Sequence, residues 1–269
     1  MVKKPIDWAA MSPLWDFFEN MGLAPQNILQ IEDYLMSPIA FMGSGVGIVY
    51  EYLLNKGFNV TAVDSCKEMV DLAKKKRGLE TFLSDVRKTR FPSFSFNSVL
   101  LSTGVVNGQN IYQPYIDELL TESRRILEAD GNLLISYFPE DSDSEYYSDV
   151  LSLNVVPSNN VMFIGSKNLD DVRRRFTSYN HIPKQLINQI FERYGTKLTE
   201  HLLFVNKISQ YLIENKIDPE KFISQRMGYK TYDLTPDDAK YLLKKTNQYF
   251  PKVKMIDIGN QTEVIIARR

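Results

Sequence analysis

A chain of 269 residues, 43% hydrophobic and 24% charged, can bury a large core as one enlarged domain or two lobes. Its net charge of −1 gives no general pull toward nucleic acid or a membrane surface, and no apolar run approaches the roughly 20 residues that span a bilayer. Met1-Val2-Lys3-Lys4-Pro5 lacks the apolar stretch of a signal peptide. The single cysteine, Cys66, excludes an internal disulfide and a multi-cysteine metal cluster, so a cytoplasmic protein without a metal centre is expected.

Residues 1–37 are aromatic and apolar. Trp8, Met11 and Trp15 recur at i, i+3 and i+7, which predicts a helix with one apolar face. That face either packs on the flank of a sheet or forms a lid over a ligand, with Trp15 as a substrate contact. Ile39 to Met42 reads as a buried strand, followed by Gly43-Ser44-Gly45-Val46-Gly47 and a helical pattern from Ile48 to Leu54 that Gly57 closes. Glycines are needed where a backbone turns with positive φ and a ligand approaches closely. Such a turn offers free N–H groups and the positive end of a helix dipole to a polar ligand. A second strand, Asn59 to Val63, ends at Asp64, where an acid suits the two hydroxyls of a ribose. The last glycine of the dinucleotide fingerprint would fall on Ile48, so a pyrophosphate is the poorer fit.

Ser65-Cys66-Lys67-Glu68 has the spacing of a capping box, predicting a helix that starts directly after Asp64. Lys74-Lys75-Lys76-Arg77 reads as the solvated end of that helix. Thr81 to Ser84 is a third strand leading to Asp85, and Ser98 to Ser102 a fourth. Thr103-Gly104-Val105-Val106-Asn107 then borders the site. Ile116, Leu119, Leu120, Ile126 and Leu127 outline a helix ending at Gly131 as a left-handed cap, with Asn132 to Phe138 as the fifth strand. Residues 139–234 are too long for a structureless loop and predict a helical cap, with segments near 168–178, 183–194 and 205–215. Thr235-Pro236-Asp237-Asp238 starts a last helix. Val253 to Ile258 and Glu263 to Ala267 form a hairpin around Gly259-Asn260-Gln261-Thr262.

Gly43-Ser44-Gly45-Val46-Gly47, Val63-Asp64-Ser65 and Leu83-Ser84-Asp85-Val86, in that order, resemble the class I S-adenosylmethionine-dependent methyltransferases. Phe96 to Leu101 and Arg125 to Ile135 agree with this, so the resemblance covers roughly residues 38–138 and 235–269. It implies an α/β fold with a Rossmann-like, doubly wound, seven-stranded sheet, mostly parallel with a C-terminal antiparallel hairpin, plus a helical cap insertion. The implied organisation is an N-terminal helical lid (1–37), the cofactor-binding core (38–138 and 235–269) and a substrate-binding cap (139–234). It further implies S-adenosylmethionine as cofactor, held by Gly43, Ser44, Gly45 and Gly47, by Asp64 and Ser65 at the ribose, by Asp85 and Val86 at the adenine, and by Thr103. Two residues depart from the family pattern: Phe41 stands where an acid usually helps hold the cofactor's amino group, and Asn97 where Asp is frequent.

Methyl transfer from a sulfonium is an in-line displacement, so positioning supplies much of the catalysis and a base is needed only when the acceptor keeps its proton. Ser102-Thr103-Gly104-Val105 lacks the Asn/Asp-Pro-Pro-aromatic pattern of amino-methyltransferases, and no cysteine nucleophile or acid cluster stands there. His181 and His201 are the only histidines. His181, before Pro183, is a candidate base or a plain surface residue. Arg173-Arg174-Arg175 is a solvated helix face or an anchor for an anionic substrate. Aromatics are dense toward the cap, and Tyr137, Tyr146 and Tyr179 are candidate substrate contacts. The expected activity is methylation of a small molecule at O or N by a monomer or homodimer, with no nucleic-acid or membrane partner. Aminocarboxypropyl transfer from the same cofactor and a non-catalytic binding module are the alternatives.

Overall fold

The computed structural model describes Trp8, Ala9, Ser12, residues 30–137, Pro139, residues 233–258 and residues 262–269. The chain divides into two compact units, Met1–Glu140 with Gly228–Arg269, and Asp141–Met227. The described residues all belong to the first. The expected cap helices and hairpin tip lie outside them, as do Trp15, Tyr146, Tyr179, His181 and His201.

Strands β1 (Ile39–Met42), β2 (Val60–Asp64), β3 (Thr81–Leu83), β4 (Phe96–Leu101), β5 (Leu127–Tyr137), β6 (Lys252–Asp257) and β7 (Glu263–Arg268) form one sheet in the order β3-β2-β1-β4-β5-β7-β6. The first five pair in parallel, and β7 runs antiparallel to both β5 and β6. Helices α1 (Ile48–Asn55), α2 (Lys67–Arg77), α3 (Tyr115–Ile126) and α4 (Pro236–Tyr249) connect them. This is the doubly wound α/β architecture with a closing hairpin, as expected.

β1 is buried at all four positions because it lies between β2 and β4, and its side chains alternate between two core layers. Ala40 and Met42 join Val99, Leu101, Ile116, Leu119, Leu120 and Ile135. Ile39 and Phe41 join Tyr50, Leu53, Ala73 and Leu100. Fully burying one such side chain stabilises the fold by about 1.5–3 kcal/mol. Phe41 is therefore held in the core beneath α1. Helix α4 starts as its sequence predicts: Asp238 N donates to Thr235 Oγ1 and Thr235 N to Asp238 Oδ2, each at 3.1 Å, with Pro236 in the first turn.

Gly131 does not end a helix. Helix α3 stops at Ile126, and β5 runs through Gly131 after a register shift between Phe96 and Ser98 of β4. The left-handed residue there is Asp130, with φ 66°. A Cβ on Gly131 would lie 2.8 Å from Leu127 Cδ2 and 3.0 Å from Glu128 O, so crowding at the bulge selects the glycine. A buried Glu122 holds the loop before β4: its Oε1 accepts from Thr89 N at 2.8 Å and its carboxylate from Arg125. Burial opposes that charge, but Arg125 and Thr89 outweigh it and keep the carboxyl below the usual range.

Candidate cofactor site at the carboxyl edge of the sheet

The glycine turn leaves β1 with φ 72° at Gly43, 56° at Gly45 and 90° at Gly47, the last of which caps α1. Its amide groups are largely committed within the fold, contrary to the expectation of free donors. Gly43 N and Ser44 N donate to Val63 O at 2.8 and 3.2 Å, Gly45 N to Asp64 Oδ2 at 2.8 Å, and Gly47 N to Ser44 O at 3.1 Å. The adjacent strands each fasten the turn, since Ser102 Oγ after β4 also donates to Gly43 O at 2.5 Å. The turn thus supplies close backbone approach more than hydrogen-bond donors.

Asp64 ends β2 beside this turn and is only 8% exposed. Its Oδ1 accepts from Cys66 N and its Oδ2 from Gly45 N, each at 2.8 Å. No side chain caps α2, whose N-cap is Cys66, so the predicted Ser65 capping box does not form. The Asp64 carboxylate accepts at that helix start instead, and Ser65 is exposed. A carboxylate has about four acceptor sites. Cys66 and Gly45 use two and the Ser65 amide bears on a third, so the carboxylate retains acceptor capacity for a ribose hydroxyl. Ser44 Oγ adds a second indication: it is buried in the turn with no hydrogen-bond partner, an unmet polar atom where a polar ligand is expected. The residues present therefore fit an adenosine cofactor.

Burial raises the Asp64 carboxyl above the usual range, against the N–H donors from Cys66, Gly45 and Ser65. Its contribution to apoprotein stability is therefore complete below the ordinary carboxylate pKa and is lost as pH rises through the raised folded value. A ribose hydroxyl donating to the ionised carboxylate has the opposite preference. Affinity for S-adenosylmethionine is accordingly expected to climb with pH through the titration of Asp64 and then level off. Calorimetric titrations from pH 4.5 to 8 check this, a flat profile counting against ribose contact.

Asp85 follows β3 and is half exposed. It is gripped by Arg87, whose Nε lies 3.0 and 3.1 Å from its two oxygens and whose Nη2 lies 2.6 Å from Oδ2. That bidentate contact holds the carboxyl below the usual range. Arg87 also reaches Glu118 at 3.0 Å and stands 5.1 Å from the Tyr115 ring centre. Val86 is buried, and Thr103 is half-buried in the turn after β4. Tyr137 sits in the core near the end of β5, its hydroxyl donated to Glu263, and burial raises its pKa strongly.

Several residues that shape this edge carry no local signal. Arg77 is not part of a solvated helix end: its side chain is 8% exposed, it lies 3.5 Å from Glu51, and its Nη1 donates to Val46 O at 3.0 Å, fixing the glycine turn from α2. The turn after β4 is held by Asn110 Nδ2 and the Tyr115 hydroxyl, which both donate to Val105 O at 2.8 and 2.9 Å, and by Asn107 Nδ2 donating to Gly104 O at 3.2 Å. The Arg77 contact spans 31 positions of the chain, whereas those that hold the turn after β4 span 3 to 10 and depend on the local path of the loop. Among the described residues no group of three or more His, Cys, Asp or Glu is placed to hold a metal ion, and no helix is long and apolar enough to cross a membrane.

Residues 41–135 match the family model described as a methyltransferase domain. No curated protein matches the chain. Among solved structures, a proposed S-adenosyl-L-methionine-dependent methyltransferase of Methanococcus maripaludis is 13% identical, with a TM-score of 0.52 over 99% of this chain and 96% of that one. A SAM-dependent methyltransferase of Methanosarcina mazei is 19% identical, with a TM-score of 0.39 over 46% of this chain; the match spans 63% of its own length. The first of these likenesses concerns the fold alone. The segment 41–135, less than half of the chain, carries the glycine turn and the acids at or just after the ends of the next two strands, and this segment is similar to a methyltransferase domain.

Proposed function

We propose that the protein is an enzyme that transfers a methyl group from S-adenosylmethionine to an oxygen or nitrogen of a small molecule. The observation that carries this is the pairing of the positive-φ glycine turn with Asp64, whose buried carboxylate keeps acceptor capacity beside an unpartnered Ser44 hydroxyl. When bound, the cofactor supplies a methyl group activated by positive sulfur. Asp64 accepts from a ribose hydroxyl and sets the position of the nucleoside. Asp85, oriented by Arg87, and Val86 define the adenine end. The turn after β4, with Thr103, borders the transfer position.

The segment between Pro139 and Leu234 is assigned to acceptor recognition, with Tyr146 and Tyr179 as contacts, and Trp15 contributes from the N-terminal segment; Tyr137, expected beside them, is fully buried in the core with its hydroxyl on Glu263 and makes no such contact. His181 is the assigned base, needed only for an acceptor that keeps its proton at working pH. The near-neutral net charge supports a small-molecule acceptor over nucleic acid.

The test is incubation of the purified protein with S-adenosylmethionine labelled in the methyl group and a panel of small hydroxylated and amine acceptors. Mass spectrometry should find S-adenosylhomocysteine and methylated acceptor in equal amounts. Methylthioadenosine as product would mean aminocarboxypropyl transfer, and absence of cofactor binding by calorimetry would mean an interaction module. Either result overturns the proposal.

A further inference from the structure

The two outer strands of the sheet differ. β6 ends one side with Lys252, Lys254 and Asp257, charges of the kind that keep an edge from pairing with another chain. β3 ends the other side with no charge at all: it reads Thr81-Phe82-Leu83, with Phe82 59% and Leu83 56% exposed. Ser84 N donates back to Asp64 O at 3.0 Å, so the alternation of a strand turns the N–H and C=O of Leu83, and those of Thr81, away from β2. No strand pairs with that side among the described residues. Phe82 and Leu83 project from opposite faces, and the Phe82 ring meets Phe91 edge-on with centres 6.0 Å apart.

Positive charge surrounds this apolar edge. Between residues 74 and 90 seven Lys and Arg stand against two acids, in a chain whose net charge is −1. Both acids are already paired, Glu80 with Lys74 at 2.9 Å and Asp85 with Arg87 at 2.6 Å. The first pair sets the last turn of α2 beside the start of β3, and the Phe82–Phe91 contact brings the Arg90–Phe91 segment beside its middle. Lys75, Lys88 and Arg90 are exposed, with no acid partner among the described residues.

We propose that the outer side of β3 is a docking surface for a partner protein, which adds an acidic, extended segment to the sheet as a further strand. A row of main-chain N–H and C=O groups is matched by another peptide strand, not by a nucleic acid or a lipid surface. A second copy of this chain would bring the same positive excess against itself. Acidic side chains of the incoming strand meet the unpaired cations, and apolar ones cover Phe82 and Leu83. So short an edge forms few hydrogen bonds, and charge and apolar cover supply much of the affinity. The surface is independent of the cofactor reading.

The probe is a short fluorescent peptide alternating glutamate and valine, titrated by anisotropy into the full chain, with the lysine–valine counterpart and a single-stranded oligouridine alongside. The glutamate peptide is expected to bind at least about tenfold more tightly than either control, and added salt to weaken it. Leu83→Pro removes an outward N–H that the sheet does not use, and should lose about tenfold in affinity where Leu83→Ala loses about threefold. Amide exchange reads the same pairing in wild type: the peptide should slow exchange at Leu83 and leave Ser84, already bonded to Asp64, unchanged. That measurement decides if Leu83→Pro does not fold. No peptide binding at millimolar concentration, tighter binding of oligouridine, equal losses in the two variants, or unchanged exchange at Leu83 would each overturn the inference. So would self-association abolished by Leu83→Pro, which would give the edge to a second copy.

Discussion

Asp64→Ala is expected to weaken S-adenosylmethionine binding by at least about tenfold. A hydrogen bond from a ribose hydroxyl to a charged acceptor is removed, worth about 1.5 kcal/mol or more, and every 1.4 kcal/mol is tenfold in affinity. The carboxylate is preset for this work. Cys66 N and Gly45 N hold one oxygen each, so the group cannot rotate freely, and burial leaves little water to compete with the hydroxyl. Isothermal titration measures the effect, with circular dichroism showing that the sheet persists. Asp64→Asn should fall between, because an amide keeps one acceptor oxygen but meets one of the two backbone donors with its own N–H. Affinity within threefold of wild type for Asp64→Ala would remove the ribose assignment.

Gly43→Ala should destabilise the apoprotein by roughly 2–5 kcal/mol, a large part of the total stability of an ordinary domain. Two separate causes act at this one position. The left-handed φ of 72° costs an alanine about 1–2 kcal/mol. Its Cβ would also lie 2.3 Å from Val105 Cγ2 and 2.7 Å from Ser102 Oγ, and relieving that overlap costs a further 1–3 kcal/mol by roughly the measure of other overpacked cores. Gly57→Ala provides the internal comparison: φ is 87° there but nothing lies within 4 Å, so only the backbone cost of about 1–2 kcal/mol remains. Urea unfolding midpoints separate the two. Equal shifts for Gly43→Ala and Gly57→Ala would mean that the turn and the segment after β4 are not packed as described. A cycle with Val105→Ala tests the clash itself, since shortening that side chain should recover part of the Gly43→Ala loss.

Both predictions depend on a turn whose existence was legible in the chain but whose role was only half legible. Alternating glycines after a short apolar run, followed by a helical period, announce strand, turn and helix because each signal is local. The expectation that the turn offers free amides was wrong for a nonlocal reason. Its donors are met by Val63 and Asp64 of the neighbouring strand, and no spacing rule announces that pairing. Arg77 shows the same limit. In a run of four basic residues nothing distinguishes it, yet the pitch of α2 carries it under the glycine turn to Val46 O. Gly131 misled in the opposite direction: a glycine after a helical pattern suggests a cap, and only the pairing of β5 with β4 reveals a crowded bulge.

The sequence by itself determined the order of elements, the two acids at strand ends, the capped start of the last helix at Thr235 and the closing hairpin. Each of these is written in residues close together along the chain, where periodicity and backbone preference act directly. Only the tertiary structure decided what the site's parts do for one another: that Asp64 braces the glycine turn, that Ser44 is left without a partner, that Phe41 is turned into the core, and that Trp8 meets Gly104 across the edge. Those relations join residues tens of positions apart. They arise from the stacking of a parallel sheet, which brings successive strand ends to one edge whatever the sequence between them.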